Sequence, residues 1–181
     1  MYIKTERLLL RPFAEADAAD LYKYAKDPEV GPAAGWPPHG SVEESRNIIR
    51  LVLSGPESYA ICKKEDGRVI GAIALSLNGD SRLAEEEDEC ELGYWIGKPF
   101  WGQGLMTEAS EALLRRAFTE LGMRRVWCAY FEGNEKSKRV QEKLGFCHEK
   151  TLREVDVPLL KEVRIEQVSL LSREAWRLKN M

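Results

Sequence analysis

The sequence predicts a single mixed α/β domain spanning residues 1–181. Three observations carry this. Apolar runs of strand length alternate along the chain with segments whose apolar residues recur at helical spacing. The 181 residues are 44% hydrophobic and 31% charged, enough to close one sizeable core and unlike a disordered chain. No internal repeat, low-complexity tract or linker interrupts the pattern.

Leu8-Leu-Leu-Arg-Pro12 reads as an opening strand. A helix follows with Ala18, Leu21, Tyr22 and Ala25 on its apolar side, and it ends before Pro28. Residues 30–40, Val-Gly-Pro-Ala-Ala-Gly-Trp-Pro-Pro-His-Gly, hold too much glycine and proline for either regular element. Ser41 and Glu44 form a capping box that starts a second helix, with Ile48, Ile49, Val52 and Leu53 on one face and Gly55-Pro56 as its stop. Residues 59–62 and 69–77 are the arms of a hairpin across Glu65-Asp-Gly-Arg68, where Asp-Gly suits the turn. An acidic run, residues 85–89, leads into a strand over 90–96. The helix after Gly104 buries Leu105, Ala109, Ala112, Leu113, Ala117 and Leu121 and stops at Gly122. Residues 125–131 form a strand, and Asn134 caps a short helix that ends at Gly145. Two further strand-like runs and a helix around Trp176 close the chain.

Composition excludes several function classes. A formal charge of −3 supplies no basic surface for bulk nucleic-acid binding. The opening Met1-Tyr-Ile-Lys-Thr-Glu-Arg has no apolar signal region, and no segment approaches transmembrane length, so a cytoplasmic protein with no membrane partner is expected. Cys62, Cys90, Cys128 and Cys147 contain no Cys-x-x-Cys pair, and three lie in strand-like runs, which reads as reduced core thiols. With only His39 and His148 in the chain, no metal site is expected.

The chemistry concentrates in Trp101-Gly-Gln-Gly-Leu-Met-Thr-Glu-Ala109, between a strand and a helix. Glycines there let backbone approach a ligand closely, and the helix start favours an anion such as pyrophosphate. Neither common nucleotide fingerprint fits. A dinucleotide-binding loop needs glycine where Thr107 stands, and a P-loop needs Gly-Lys-Ser/Thr where Gly104-Leu-Met106 stands.

With Thr5-Glu-Arg-Leu-Leu-Leu-Arg-Pro12, Glu91-Leu-Gly-Tyr-Trp-Ile96, and Asn134-x-x-Ser137 followed by Lys143-Leu-Gly-Phe146, this loop resembles the GNAT superfamily of N-acetyltransferases. Within it, the chain is similar to the ribosomal-protein N-terminal (Rim-type) branch. The resemblance implies a central mixed, mostly antiparallel sheet flanked by helices and splayed in the middle for acyl-CoA. It implies acetyl-CoA as co-substrate without a metal, and an amine acceptor that is a peptide N-terminus or a small amine. It leaves a homodimer open. Trp101 and Met106 stand at the ends of the family's loop pattern, and Gln141 stands where many members have a tyrosine.

Roles follow for particular residues. Gly102, Gln103, Gly104, Leu105, Met106 and Thr107 would hold the pyrophosphate through backbone amides. Trp95 or Ile96 would offer a backbone N–H to the oxyanion, and Gly93 fits a bulge or a close backbone approach. Glu91 is the candidate general base, with Glu135 and Glu166 as weaker alternatives. Ser137 is the candidate proton donor to the thiolate, and Asn134 is a helix cap that can also bond pantetheine. Trp36, in the Gly/Pro stretch, is the candidate acceptor contact. An α-amine, with a pKa of ~7.7–8, needs a base less than a lysine at ~10.4 does, which favours an N-terminal acceptor. A small-molecule amine acceptor and a non-catalytic acyl-CoA-binding module are the alternatives.

Overall fold

The computed structural model describes residues 1–77 and 79–180. In chain order the elements are β1 (Ile3–Lys4), β2 (Leu8–Arg11), α1 (Ala18–Ala25), α2 (Val42–Leu51), β3 (Ser58–Lys63), β4 (Val69–Leu77), β5 (Glu89–Ile96) and α3 (Leu105–Thr119). Then follow β6 (Arg125–Phe131), α4 (Glu135–Leu144), β7 (Cys147–Val157), β8 (Glu162–Ser172) and α5 (Arg173–Lys179). The strands are hydrogen-bonded in the order β1-β2-β3-β4-β5-β6-β8-β7. The β5–β6 pair is parallel, as its α3 crossover requires, whereas β1–β2, β2–β3, β3–β4, β6–β8 and β7–β8 are antiparallel. This is the mixed, mostly antiparallel sheet with flanking helices that the resemblance implies. Strand β1, two residues long, has no pattern a sequence could show.

The chain packs as two compact units. The first comprises Met1–Ala74 and Tyr94–Ala109. Its helical core joins Ala18, Leu21 and Ile49, with Phe13, Val42, Leu53 and Trp95 packed against them. Fully burying a leucine such as Leu21 contributes about 1.5–3 kcal/mol. Two assignments change. Tyr24, not Tyr22, is the buried tyrosine of α1, and Val52 is 63% exposed because α2 ends at Leu51 and leaves it off the apolar face. The expected hairpin forms, with Gly67 at φ 71° and its amide donating to Lys63 O at 2.8 Å. Strand β4 carries a glycine for a spatial reason. A Cβ on Gly71 would run into the Trp95 carbonyl and lie 2.9 Å from Ile96 Cα, so only glycine lets β5 come this close.

The second unit comprises Leu75–Gly93 and the chain from Ser110 onward. Its core joins Leu83, Ala84, Trp127 and Val168, with Ala129, Leu152 and Leu170 against them. The parallel ladder registers Glu89↔Arg125, Cys90↔Val126 and Glu91↔Trp127, with no later pair among the described residues, whereas β6 stays paired with β8 to Phe131↔Glu166. The strands therefore part after Glu91, which is the splay expected in the middle of the sheet. The acidic run that precedes them is not uniformly solvated. Residues 85–87 are exposed, but buried Glu89 accepts from Trp127 Nε1 at 2.8 Å and from Arg125 Nη1 at 3.1 Å. A carboxylate cannot be buried without such partners, and these two pin the closed end of the fork. Helix α3 buries Leu105, Ala109, Leu113 and Ala117 as expected and also Leu114 and Phe118, while Ala112 and Leu121 are half-buried. Cys62, Cys90 and Cys128 are buried, and Cys147 is exposed.

Candidate functional site

In the first unit, the end of β5 is fastened before the chain enters the glycine loop. Gly97 N–H donates to Ile70 O at 2.8 Å, and a Cβ there would meet the Tyr24 ring at 2.7 Å. Phe100, in a short 3₁₀ turn, packs edge-on against Tyr24. Trp101 Nε1 donates to Ile96 O at 2.9 Å, and Gln103 Nε2 donates to Pro99 O at 2.8 Å. The large residue at position 101 thus serves as an internal brace.

Gly102 and Gly104 both adopt left-handed backbone, φ 74° and 76°, and no other residue type takes up that conformation so cheaply. Glu108 N–H makes the bond to Gly104 O at 3.0 Å that opens α3. The amides of Leu105, Met106 and Thr107 precede it, at positions where an α-helix supplies no acceptor of its own. Residues 102–104 are exposed, and a Cβ at Gly102 would meet nothing within 4 Å. Left-handed residues in such a loop can turn N–H groups into an anion-binding concavity. Such a cradle suits the pyrophosphate of an acyl-CoA, without a counter-charge that would itself need solvation.

The loop is tied from behind by residues that the sequence reading did not single out. Glu108 accepts from Thr5 Oγ1 at 2.6 Å, from Arg7 N–H at 2.7 Å and from Arg7 Nε at 2.7 Å. Burial pushes the Glu108 pKa up, but these bonds outweigh it and hold the group below the ordinary 4.5. Arg7 Nη1 reaches on to Gln103 O at 3.0 Å. Thr5, Arg7 and Glu108 all stood inside recognisable motifs. Their mutual contact joins positions 101 residues apart, which no local pattern encodes.

Trp36 and Trp95 also lie in this unit. Trp36 packs edge-on against Trp95, with ring centroids 5.3 Å apart, and lies 5.1 Å from the His39 ring. A Cβ on Gly31 would run into the Trp36 ring. Trp36 is therefore a seated, half-buried residue rather than a loose one. His39 is buried, and its Nδ1 shares a hydrogen bond with Ser45 Oγ at 2.8 Å. Desolvation lowers its pKa below 6.5, with the charge of Glu44 partly opposing.

The second unit holds the remaining candidates. Asn134 caps α4 by accepting from Ser137 N–H at 3.1 Å, and Gly145 at φ 92° ends the helix. Ser137 is half-buried, and Gln141 Nε2 donates to its Oγ at 3.4 Å. Gln141 itself is buried, with Oε1 lacking a partner among the described residues. Glu91 is half-buried on the splaying strand and accepts from Ser81 Oγ at 2.9 Å. That hydroxyl also receives the amides of Leu83 and Ala84 at 3.0 and 2.9 Å, so it organises the turn before β5. Buried Glu166 pairs with Arg82 through one oxygen and leaves the other without a partner among the described residues. Glu135 is exposed beside Lys138. Gly93 is exposed, and a Cβ there would meet nothing within 4 Å, so the protein's own packing does not require a glycine.

Comparison with known proteins agrees with this architecture. The family described as acetyltransferase (GNAT) domain matches residues 7–147. The N-acetyltransferase p20 of Bacillus licheniformis, itself uncharacterised, is 30% identical over 175 residues, covering 94% of this chain and 96% of that protein. YdaF of Bacillus subtilis (strain 168), which carries the name of a ribosomal N-acetyltransferase, is 40% identical over 84 residues, 46% of this chain and 43% of its own. An acetyltransferase structure (GNAT family) from Bacillus anthracis superposes with a TM-score of 0.84 at 24% identity, over 96% of this chain and 99% of that one, a likeness of fold.

Proposed function

The chain belongs to the GNAT family of N-acetyltransferases, and we propose that it transfers acetyl from acetyl-CoA to the N-terminal α-amine of a protein or peptide. The observation that carries the acetyl-CoA reading is the pair of exposed left-handed glycines immediately before the N-terminus of α3. The whole chain acts as one N-acetyltransferase domain in this reading.

Acetyl-CoA supplies an activated thioester carbonyl and a thiolate leaving group. Amides of residues 102–107 take the pyrophosphate. The exposed stretch of β5 at Gly93 accommodates a pantetheine arm, which would otherwise collide with a side chain. A neutral amine attacks the carbonyl carbon, a backbone N–H near Trp95 or Ile96 steadies the oxyanion, and the C–S bond breaks. Glu91 accepts the amine proton directly or through water, and the Ser137 hydroxyl donates to the departing sulfur. Glu91 is engaged by Ser81, and an α-amine with a pKa of ~7.7–8 asks less of a base than a lysine at ~10.4 does. The name of the relative YdaF supports the same acceptor class.

The test pairs two measurements. Acetyl-CoA at a hundredfold its Kd should stabilise the protein by about 2.7 kcal/mol, visible as a Tm shift that NAD at equal concentration does not produce. Peptides with a free or a blocked N-terminus, each carrying the same lysine, are then assayed side by side. Labelling confined to the free N-terminus is expected. Equal labelling of both peptides would mean lysine acetylation, and labelling of neither would point to a small-molecule amine.

A further inference from the structure

The Arg7–Glu108 strap bears on coenzyme A binding, and this rests on the reading that the glycine loop takes the pyrophosphate. A trans peptide points its C=O and N–H to opposite sides. The Gln103–Gly104 peptide has its carbonyl held by Arg7 Nη1 at 3.0 Å, so the Gly104 N–H faces away from Arg7. That is the orientation an anion-binding concavity requires. The guanidinium lies directly behind the loop, since a Cβ on Gly104 would be 3.6 Å from Arg7 Nη2.

Charge gives a second reason. Glu108 sits in the first turn of α3, where a carboxylate stabilises the helix but competes for the same dipole with a bound anion. Arg7 cancels that charge through Nε while Thr5 Oγ1 and the Arg7 amide occupy the other carboxylate oxygen. The Thr5–Arg7 turn is itself fixed. Thr5 N–H donates to Leu8 O at 3.0 Å, and Lys64 N–H donates to Arg7 O at 3.0 Å.

We propose that Arg7 is a positioning residue for coenzyme A. It holds the Gln103 carbonyl back so that the Gly104 amide faces the pyrophosphate, and it neutralises Glu108 so that the anion does not meet a carboxylate at the helix start. Arg7 does not touch the pyrophosphate itself.

Calorimetric titration with CoA, which involves no turnover, tests this on wild type, Arg7→Met, Arg7→Lys, Glu108→Gln and the Arg7→Met/Glu108→Gln double variant. Arg7→Met is expected to weaken CoA roughly tenfold or more, with kcat at saturating acetyl-CoA held within about twofold. Arg7→Lys keeps the charge but not the two-pronged donation, and should fall between. The double variant should bind CoA more tightly than Arg7→Met alone, because no bare carboxylate remains. The loss should be equal for CoA and 3′-dephospho-CoA, since both carry the pyrophosphate. A folded Arg7→Met protein with wild-type CoA affinity would overturn the inference. So would a loss seen with CoA but not with dephospho-CoA, which would make Arg7 a direct 3′-phosphate ligand. Should Arg7→Met not fold, Arg7→Lys carries the same comparison, and wild-type CoA affinity in a folded Arg7→Lys protein overturns it. Failure of the wild type to bind CoA would sink the proposed function as well, and is distinguishable from an unaffected Arg7 variant.

Discussion

The two ends of β5 use different chemistry. At its C-terminal end the strand feeds a loop whose useful groups are all backbone: two left-handed glycines, an anchored carbonyl and the N-terminal amides of a helix. At its N-terminal end, where it parts from β6, the useful groups are side chains already bonded to neighbours. Glu91 is held by Ser81, and Glu89 by Arg125 and Trp127. If the loop recognises coenzyme A by shape, as proposed, it should fail abruptly when its backbone is altered. If the side-chain candidates act on protons, as proposed, isosteric changes there should leave binding intact and slow the reaction.

The largest effect is expected at Gly104. Gly104→Val puts a β-branched side chain at φ 76°, a conformation that such residues essentially never adopt, and so distorts the cradle. Acetyl-CoA affinity should fall by roughly a hundredfold or more while the far-ultraviolet spectrum is kept, since left-handed strain of about 1–3 kcal/mol is small beside total stability. Gly102→Asn sharpens the point. Asparagine tolerates left-handed backbone and its Cβ would meet nothing within 4 Å, so CoA binding should survive. Equal loss at both positions would show that side-chain bulk, not backbone conformation, decides.

Ser137 should show the opposite profile. Ser137→Ala is expected to lower kcat by on the order of a hundredfold while the acetyl-CoA Kd stays within about twofold, because the thiolate appears only as the bond breaks. Single-turnover rates alongside calorimetry separate the two quantities. A change confined to Kd would make Ser137 a ligand-binding residue, and the contrast with the loop would collapse.

Glu91→Gln should have a smaller effect, about tenfold in kcat/KM for a peptide α-amine. Ser81→Ala separates base from scaffold. It frees Glu91 from one hydrogen bond but also removes the acceptor of the Leu83 and Ala84 amides. A loss of stability of about 0.5–1.5 kcal/mol with kcat/KM unchanged would assign Ser81 to the turn. If Glu91→Gln has full activity at every pH, water is the base.

What was legible in the sequence follows the same division. Residues 125–131 and the cap-to-glycine span of α4 were readable to the residue, because Asn134, Gly145 and an uninterrupted apolar run are local signals. The glycine loop was readable for the same reason. Val52 was misplaced because periodicity continues in sequence beyond the point where α2 stops. The straps Arg7–Glu108, Ser81–Glu91 and Arg82–Glu166 were invisible, since no local pattern says which partner each side chain meets until the fold joins them. Trp36 was noticed as an aromatic in an irregular stretch, but its seat against Trp95 and His39 is tertiary information.

That seat gives the smallest predicted effect, a pH dependence. His39 is buried, bonded to Ser45 and 5.1 Å from the Trp36 ring, and its backbone N–H donates to Ala25 O at 3.1 Å. Desolvation lowers its pKa below 6.5, opposed in part by Glu44, so the folded protein keeps the imidazole neutral. The unfolded chain takes up a proton as pH falls through about 6.5, whereas the folded chain does so only at lower pH. The stabilisation is therefore fully present above the unfolded value and is lost as pH falls through the folded one. Tm for wild type should decline more between about pH 7 and 5 than for His39→Gln, which has no proton to take up there. If Trp36 borders the acceptor, the peptide KM should rise over the same range in wild type and less in His39→Gln, with acetyl-CoA affinity unmoved in both. Trp36→Ala should give a raised peptide KM at every pH. A pH-dependent KM that survives His39→Gln unchanged would place the titrating group on the peptide amine itself and return Trp36 to a purely structural part.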